Sequence, residues 1–407
     1  MRCDMRRVVV TGLGVVSPIG NNINDFWNNL ISGKNGIDYI KSFDTTDYDV
    51  KLGYEIKNLD LKDIPLRDQK FDSRYMSCAR IASKEAFGDL KNIDNDRVGV
   101  YISTSLGGSE KIEQGLDTLR KDGSKRISPY LLQSISPNMA SGKVAIDIGA
   151  RGSNFSPIAA CSGGAIAIGE AFLKIKNGYE DAILAGASDC GVTEFTVAQF
   201  QALGAIYKGC DKEVASTPFD KRRSGFSIGE GAAIVLLEEL NHAQKRNAKI
   251  YAEVVGYACN CDAYNVVAPD YNNLTCKKSM QDAIVSAKIN ESDIGYINAH
   301  GTSTVLNDKT ETKAIKELFK ENNPYVSSTK GQTGHLLSAS GAIEAVITIK
   351  ALEQSQFPYM INYREKDVEC DLNFVLEKPL KKNIKYAMSN SFGFGGHNAC
   401  LIFRKWE

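Results

Sequence analysis

Short apolar runs alternate with longer stretches whose apolar residues recur at helical spacing, and this alternation continues along the chain. The runs that predict buried strands are Val8–Thr11, Val98–Ser103, Ala182–Gly186, Ala252–Tyr257, Tyr296–Ala299 and Tyr386–Ser389. Strands that alternate with helices favour an α/β fold with largely buried sheets. Because 407 residues exceed the usual size of a single core, we expect two core units.

Cys161 lies where a strand-like run gives way to a helical pattern. The residues from Ser153 to Ala160 predict a buried strand, and from Ser162 onwards the apolar spacing predicts a helix. A thiol at a helix N-terminus meets unpaired backbone N–H groups and the positive end of the helix dipole, which favour the thiolate. The segment therefore predicts a nucleophile, although a lone cysteine is more often a small buried apolar residue.

Two of the four histidines, His300 and His335, lie in glycine-containing motifs of the last third of the chain. His300 follows a strand-like run, and His335 precedes a helical stretch from Ala339 to Leu352. Junctions at the carboxyl ends of strands are where open α/β folds gather their ligand-binding groups. One cysteine and two histidines placed in this way are a candidate site for acyl transfer.

Seven motifs in a fixed order resemble the β-ketoacyl-acyl carrier protein synthases, in particular the elongating enzymes of type II fatty acid synthesis. They are Val8–Pro18, Pro157–Gly164, Pro218–Phe226, Gly229–Ala232, His300–Thr304, Ser327–His335 and Ser389–Gly396. The resemblance runs from end to end. It implies a thiolase-like fold, in which two α/β halves pack as five αβαβα layers. Residues 1–250 would then carry the nucleophile and residues 251–407 the two histidines.

The resemblance also implies a reaction and a role for each residue. Cys161 accepts an acyl chain from the phosphopantetheine arm of an acyl carrier protein. Malonyl carrier protein loses carbon dioxide, and its enolate attacks the thioester to give a 3-oxoacyl chain two carbons longer. His300 and His335 stabilise the enolate, and the backbone N–H groups of Cys161 and Phe394 form the oxyanion hole. No metal or separate cofactor is implied.

Supporting residues are implied around this triad. Lys330 orders the site, and Glu311 and Asp308 occupy the acidic positions of the family. A buried lysine and glutamate would be paired, because an isolated buried charge is costly, although on pattern alone all three fit an ordinary helix surface. The implied gating loop consists of Phe392, Gly393, Phe394, Gly395, Gly396 and His397.

Two positions depart from the family pattern. His397 stands where the family usually has Thr, and Val305 where it usually has Pro. A third imidazole beside the gating loop changes the pocket, adds a proton-carrying group or hydrogen-bonds the backbone as Thr would. Some catalytic subunits of type II polyketide synthases vary at this place, so the catalytic ketosynthase subunit of a type II polyketide or polyene pathway is the alternative function. Two further alternatives are a cysteine hydrolase and a non-catalytic binding subunit.

The partners implied are an acyl carrier protein and a second subunit. The carrier is acidic, so its docking patch should be basic. Lys125 and Arg126 fit a family docking position, and Arg67 and Lys70 are further candidates. The second subunit makes either a homodimer or a heterodimer with a chain-length-factor-like chain.

Composition fits a soluble cytoplasmic enzyme. The 49 basic and 49 acidic residues balance to a formal net charge of zero, which does not support binding to nucleic acid. No apolar run is long enough to span a membrane, and no signal peptide is recognised. The ten cysteines form no CxxC pair, so we expect reduced thiols and no zinc site.

Overall fold

A computed structural model describes residues 6–88, 90 and 93–407. Its strands are β1 Val8–Val16, β2 Asp38–Tyr39, β3 Leu52–Gly53, β4 Val98–Ser103, β5 Asn154–Phe155, β6 Ala182–Cys190, β7 Glu230–Glu239, β8 Ala252–Cys261, β9 Ile294–Asn298, β10 Tyr325–Ser327, β11 Gln356–Phe357, β12 Leu380–Lys381, β13 Tyr386–Gly393 and β14 His397–Lys405. Its α-helices are α1 Ile23–Ile31, α2 Leu66–Phe71, α3 Arg74–Phe87, α4 Ser109–Asp122, α5 Leu131–Ile135, α6 Met139–Ile148, α7 Gly163–Lys176, α8 Glu194–Leu203, α9 Leu240–Lys245, α10 Thr275–Ala287, α11 Val305–Phe319, α12 Lys330–Thr333 and α13 Ala339–Gln354.

Ten strands form one mixed sheet in the order β10-β9-β13-β14-β8-β1-β7-β6-β4-β5. The order β1-β7-β6-β4-β5 has two antiparallel pairings followed by two parallel ones. The order β8-β14-β13-β9-β10 repeats the same series of pairings. The two sets meet where β1 pairs with β8. The repeated series matches the two α/β halves that the sequence motifs imply.

Helices occupy both faces of each five-stranded set. The buried helices α7 and α13 contact each other and strands of both sets, so they form the middle layer. On the outer faces, α3 and α6 cover the first set, while α10 covers the second set and packs against α11. This arrangement confirms the predicted α/β class and the thiolase-like architecture.

Two glycines allow α7 and α13 to approach closely. A β-carbon on Gly164 would lie 2.7 Å from the backbone nitrogen of Ala342, and one on Gly341 would lie 2.8 Å from that of Ala165. Since real β-carbons do not come this near to backbone atoms, each helix needs its glycine. The close contact places the N-terminal ends of the two helices side by side.

One predicted strand is wrong in its extent. Only Asn154 and Phe155 pair with β4, and the chain from Ser156 to Ala159 forms no ladder before a short 3₁₀ turn begins. Pro157 has no N–H to donate to a ladder. The run is therefore not a continuous strand, and it is only partly buried: Pro157 and Ala159 are buried, whereas Phe155 and Ile158 are exposed.

Three chemical features of the described ranges bear on function. None of the helices in them is long and apolar enough to cross a membrane. Their nine cysteines are all free thiols. Within the same ranges, no group of three or more potential ligands is arranged to hold a metal ion.

Candidate active site

Cys161, His300 and His335 line one cavity of about 580 Å³. Cys161 comes from the 3₁₀ turn that precedes α7, His300 from the loop after β9, and His335 from the segment between α12 and α13. The rings of His300 and His335 are perpendicular, with centroids 5.6 Å apart. The structure therefore brings together three residues that are far apart in the sequence.

A strained turn presents the Cys161 thiol to the cavity. Ala160 has a φ of 45°, in the region that only glycine enters easily, and the turn from Ala160 to Ser162 leads directly into α7. Burial raises the pKa of the Cys161 thiol to about 12, although Lys330 acts in the opposite direction. The structure does not support the expectation that the helix terminus holds a thiolate, because the effect of burial on the pKa of the Cys161 thiol outweighs that of the favourable charges.

Carboxylates of α11 hold the loop that carries His300. Glu311 accepts hydrogen bonds from the backbone nitrogens of His300 and Gly301, at 2.9 and 2.8 Å. Asp308 accepts from the backbone nitrogens of Thr302 and Phe219, at 3.0 and 2.7 Å. Burial raises the pKa of the Glu311 carboxyl to about 7. The two predicted acidic residues thus hold the backbone of the site, with Glu311 at the cavity wall and Asp308 outside the lining.

Lys330 is paired with Glu344, a residue that the motifs did not indicate. Both side chains are 1% exposed and form a short ion pair. The Lys330 nitrogen also donates to the carbonyl oxygen of His300 at 2.5 Å. The expected pairing of Lys330 with Glu311 is therefore wrong, because Glu311 is occupied by backbone donors. One signal for Glu344 was available, since it is an acidic residue within the apolar pattern of α13.

Hydrogen bonds to the Nδ1 atoms determine which nitrogen of each imidazole carries the proton. Nδ1 of His335 accepts from the backbone nitrogen of Leu337 at 3.0 Å and lies 3.1 Å from the Ser340 hydroxyl. Nδ1 of His300 lies 3.5 Å from the Lys330 nitrogen. Burial lowers the pKa of both histidines well below the ordinary value, and Lys330 adds to the effect. Both rings are therefore neutral, with the proton on Nε2.

The hairpin between β13 and β14 covers the cavity beside Cys161. Phe392, Gly393, Phe394 and Gly396 line the cavity. A β-carbon on Gly393 would lie 3.0 Å from the backbone nitrogen of Cys161, so glycine is required for this close approach.

Backbone hydrogen bonds hold the tip of this hairpin against the loop after β8. Gly395 donates its backbone N–H to the carbonyl of Val266 at 2.7 Å, and Asp262 donates to that of Gly396 at 2.8 Å. His397 pairs with Cys261 of β8 and is not among the residues that line the cavity. His397 therefore stands at the start of β14, next to the lining residue Gly396 but outside the lining itself.

Asp189, at the end of β6, connects two walls of the site and had no motif to indicate it. Its carboxylate accepts from the hydroxyl of Thr104 at 2.6 Å and from the backbone nitrogen of Ser105 at 3.0 Å. It also accepts from the backbone nitrogen of Ser338, ahead of α13, at 2.8 Å. Burial raises the pKa of this carboxyl to about 6. Asp189 therefore ties the loop after β4 to the segment that carries His335.

The predicted docking residues all lie on the surface. Lys125 and Arg126 are exposed in a 3₁₀ turn after α4, and Arg67 and Lys70 are exposed on α2. The Arg67 guanidinium donates to the Tyr130 hydroxyl at 3.3 Å. The two basic pairs are thus connected through the segment that follows Arg126.

The charged groups around this cavity are all acidic. Besides the Cys161 thiol and the two imidazoles, its described lining contains Asp262, Asp270 and Glu311 with several hydroxyl and amide groups, and it contains no lysine or arginine. Two neutral N–H donors can stabilise an oxygen on which negative charge develops. A carboxylate that entered would find no cationic partner. The arrangement fits covalent catalysis on sulfur combined with stabilisation of an enolate.

Comparison with known proteins agrees with this chemistry. The protein-family model of the beta-ketoacyl synthase N-terminal domain matches residues 5–243. The family model of the C-terminal domain matches residues 251–364. The chain is 42% identical over 412 residues to 3-oxoacyl-acyl-carrier-protein synthase 2 of Synechocystis sp., and 42% identical over 409 residues to the protein of that name from Staphylococcus aureus strain N315. Each alignment covers 99% of both chains.

Solved ketosynthase structures share the fold over the full length. The ishigamide ketosynthase/chain length factor has a TM-score of 0.93 at 30% identity and covers 99% of this chain and 100% of that chain. A type II polyketide synthase acyl carrier protein in complex with its ketosynthase has a TM-score of 0.90 at 33% identity, with the same coverage. Since the two family models span most of the chain and full-length relatives are 42% identical, the chain belongs to the beta-ketoacyl synthase family.

Proposed function

We propose that this chain is an acyltransferase that catalyses the decarboxylative condensation of fatty acid chain elongation. Cys161 attacks the thioester of an acyl carrier protein, and its proton leaves with the released pantetheine thiol. Malonyl carrier protein then loses carbon dioxide, and the resulting enolate carbon attacks the Cys161 thioester. The carbon–sulfur bond breaks, the cysteine recovers a proton, and a 3-oxoacyl carrier protein two carbons longer is released.

The hydrogen-bond partners of the two imidazoles are the observation that supports this reaction. An enolate oxygen needs N–H donors, and His300 and His335 line the cavity while their Nδ1 atoms face donors, which leaves Nε2 to carry the proton. A hydrolase would need one of these rings to take a proton from water. Since the described lining offers no cation, a malonyl carboxylate would be unpaired there, which favours its loss as carbon dioxide. The arrangement therefore favours condensation over hydrolysis.

The backbone near Cys161 supports an oxyanion hole for the acyl-enzyme. Gly393 closely approaches the Cys161 nitrogen, and Phe394 follows it in the hairpin. The N–H groups of Cys161 and Phe394 would hold the thioester carbonyl, a kind of contact for which one lost donor costs about 3–4 kcal/mol of barrier. Gly395 and Gly396 both have positive φ, at 85° and 75°, and allow the sharp reversal that positions Phe394.

Identity favours fatty acid elongation over polyketide synthesis. The full-length relatives named as 3-oxoacyl-acyl-carrier-protein synthases are 42% identical, whereas the polyketide-type structures are 30% and 33% identical. The polyketide alternative retains support from the close structural match at a TM-score of 0.93. A ketosynthase of that kind would depend on a cysteine-free partner subunit, whereas the elongating enzyme would act without one.

We propose an acyl carrier protein and a second subunit as partners. A carrier protein is bound to the ketosynthase in one of the matching structures, and an acidic carrier would complement the basic pairs on α2 and after α4. For the second subunit, β5 forms the edge of the large sheet, where Phe155 is 47% exposed and the nearby Ile158 is 61% exposed. An unpaired edge with apolar neighbours is suited to a subunit interface.

Intact-mass analysis of the protein with acyl carrier protein, followed by malonyl carrier protein, tests the reaction. Acyl mass on Cys161 and then a product two carbons longer would support elongation. The Cys161→Ala variant should take up no acyl group. His300→Ala should still be acylated but should condense at least about 100-fold more slowly, because an enolate donor is lost. Normal condensation by His300→Ala, or release of free acid without malonyl carrier protein, would overturn the proposal.

A further inference from the structure

None of the residues of helix α2 is buried. Its first residue, Leu66, is 84% exposed, and Arg67 and Lys70 on the same short helix are exposed as well. A six-residue helix without a buried face is not stable by itself. Interactions made by its polar side chains must therefore contribute to its position.

A buried guanidinium provides the attachment. Arg80, on α3, is 6% exposed, and its Nη1 atom donates to Asp68 of α2 at 2.9 Å and to Asp72, just after α2, at 2.7 Å. Its Nε and Nη2 atoms hold both oxygens of Asp147 on α6, at 2.7 and 2.8 Å. Lys143, also on α6, contacts Asp68 at 3.1 Å and Asp72 at 3.3 Å. The cluster ties α2 to two helices of the outer layer.

The end of α2 is attached to a second basic segment. The rings of Phe71 and Tyr130 lie 4.1 Å apart, and the Ser134 hydroxyl donates to the Phe71 carbonyl at 2.6 Å. Tyr130 follows the turn that carries Lys125 and Arg126. The exposed pairs Arg67/Lys70 and Lys125/Arg126 thus lie on elements that contact each other. The contacts of Asp68 hold the middle of α2 in place.

We propose that Arg80 and Asp68 are positioning residues, which hold α2 where Arg67, Lys70 and Leu66 can contact an acidic carrier protein. The inference rests on the proposed function. Removing a charge from water is favourable only when the charge is well paired, and Arg80 has three carboxylates to satisfy it. Because Asp72 and Asp147 remain when Asp68 is neutralised, that change loosens α2 without leaving the buried guanidinium unpaired.

The test compares Asp68→Asn with Asp63→Asn, which removes the same charge five residues away. Asp63 pairs with Lys84 on the exposed surface and makes no contact with Arg80. Acylation of Cys161 is measured with an acyl carrier protein and with a carrier-free acyl-pantetheine thioester. For Asp68→Asn, the KM for acyl carrier protein should rise roughly three- to fivefold, because the ion pairs of Asp68 with the buried Arg80 and with Lys143 no longer hold α2 in place. Its kcat and its rate with the carrier-free thioester should stay within twofold.

The direction of the change in KM for acyl carrier protein distinguishes a positioning role of Asp68 from an effect of net charge. If net charge alone mattered, removing an acidic residue near the docking face would lower the KM for an acidic carrier, and both variants would do so. A lower or unchanged KM for Asp68→Asn would overturn the proposal. In a second measurement, Asp68→Asn is added to a Leu66→Ala/Arg67→Ala/Lys70→Ala background, where it should have no further effect because the docking side chains of α2 are gone. A full additive effect there would also overturn it.

Failure of the proposed function gives a different result. A wild-type protein that is acylated by carrier protein but does not condense with malonyl carrier protein would contradict elongation and leave the docking comparison measurable. A wild-type protein that is acylated only by the carrier-free thioester would contradict the docking role of α2 and, with it, the role of Arg80.

Discussion

Replacing Glu344 with alanine would leave the Lys330 nitrogen inside the protein without a carboxylate. Both side chains are 1% exposed, so water cannot take the place of the lost partner. Removing one partner of a buried ion pair costs about 3–5 kcal/mol. We therefore expect the free energy of unfolding of Glu344→Ala, measured by urea denaturation, to fall by that amount. A matched control is Asp60→Ala, which removes a pair whose side chains are 75% and 60% exposed and should cost under about 1 kcal/mol.

The double variant Lys330→Met/Glu344→Leu separates stability from activity. Replacing a buried pair with apolar side chains of similar size is often neutral or stabilising, so the double variant should regain wild-type stability to within about 1 kcal/mol. Condensation should remain slower by about 100-fold, because His300 loses the donor 3.5 Å from its Nδ1 atom and the proton on Nε2 is no longer fixed. Acylation of Cys161 should continue.

Two results would refute this reasoning. One is a loss of less than about 1 kcal/mol in Glu344→Ala, which would mean that the buried pair contributes no more than an exposed one. The other is a double variant that condenses at the wild-type rate, which would remove Lys330 from any part in orienting His300. Intact-mass time courses of acylation and of product formation distinguish the two steps.

Three further predictions concern the neighbourhood of the site. Gly393→Ala places a β-carbon 3.0 Å from the Cys161 backbone nitrogen, so acylation followed by intact mass should slow at least about tenfold; an unchanged rate would argue against a close hairpin. Because burial raises the pKa of Asp189 to about 6, its carboxyl stabilises the fold most when protonated and loses this contribution as the pH rises through 6. Between pH 5 and 8, the free energy of unfolding of the wild type should therefore fall by about 1 kcal/mol relative to Asp189→Asn, whereas a relative rise would contradict the assignment. His397→Thr should leave kcat and KM within twofold, since His397 does not line the cavity, and a tenfold loss in steady-state assays would place its imidazole in the reaction.

Local motifs were sufficient to identify the residues that meet in the cavity. Cys161, His300 and His335 each lie at the junction of a regular element and a loop, a feature that is visible within a few residues of sequence. The α/β class followed from the alternation of apolar runs and helical spacing, and the comparisons with known proteins confirm it. The catalytic roles of Cys161, His300 and His335 stay predictions until the variants are measured.

Partners that are distant in sequence could not be predicted in the same way. Asp189 holds Ser338, and the two are 149 positions apart. Glu344 and Glu311 are both acidic residues on helices near Lys330, and only the three-dimensional packing decides which one is its partner. The thiolate expectation for Cys161 is unsupported for a related reason, because the helix terminus is a local feature whereas burial depends on the whole fold.

The glycine contacts between α7 and α13 determine how the enzyme should respond to heat. Gly164 and Gly341 keep the two helix backbones in contact, and Cys161 and His335 each lie just before one of these helices. The distance between the reacting groups is therefore fixed by the interior rather than by surface loops, which open at lower temperatures. Thermal inactivation should consequently coincide with global unfolding, and the folded protein should keep its catalytic geometry until the core itself melts.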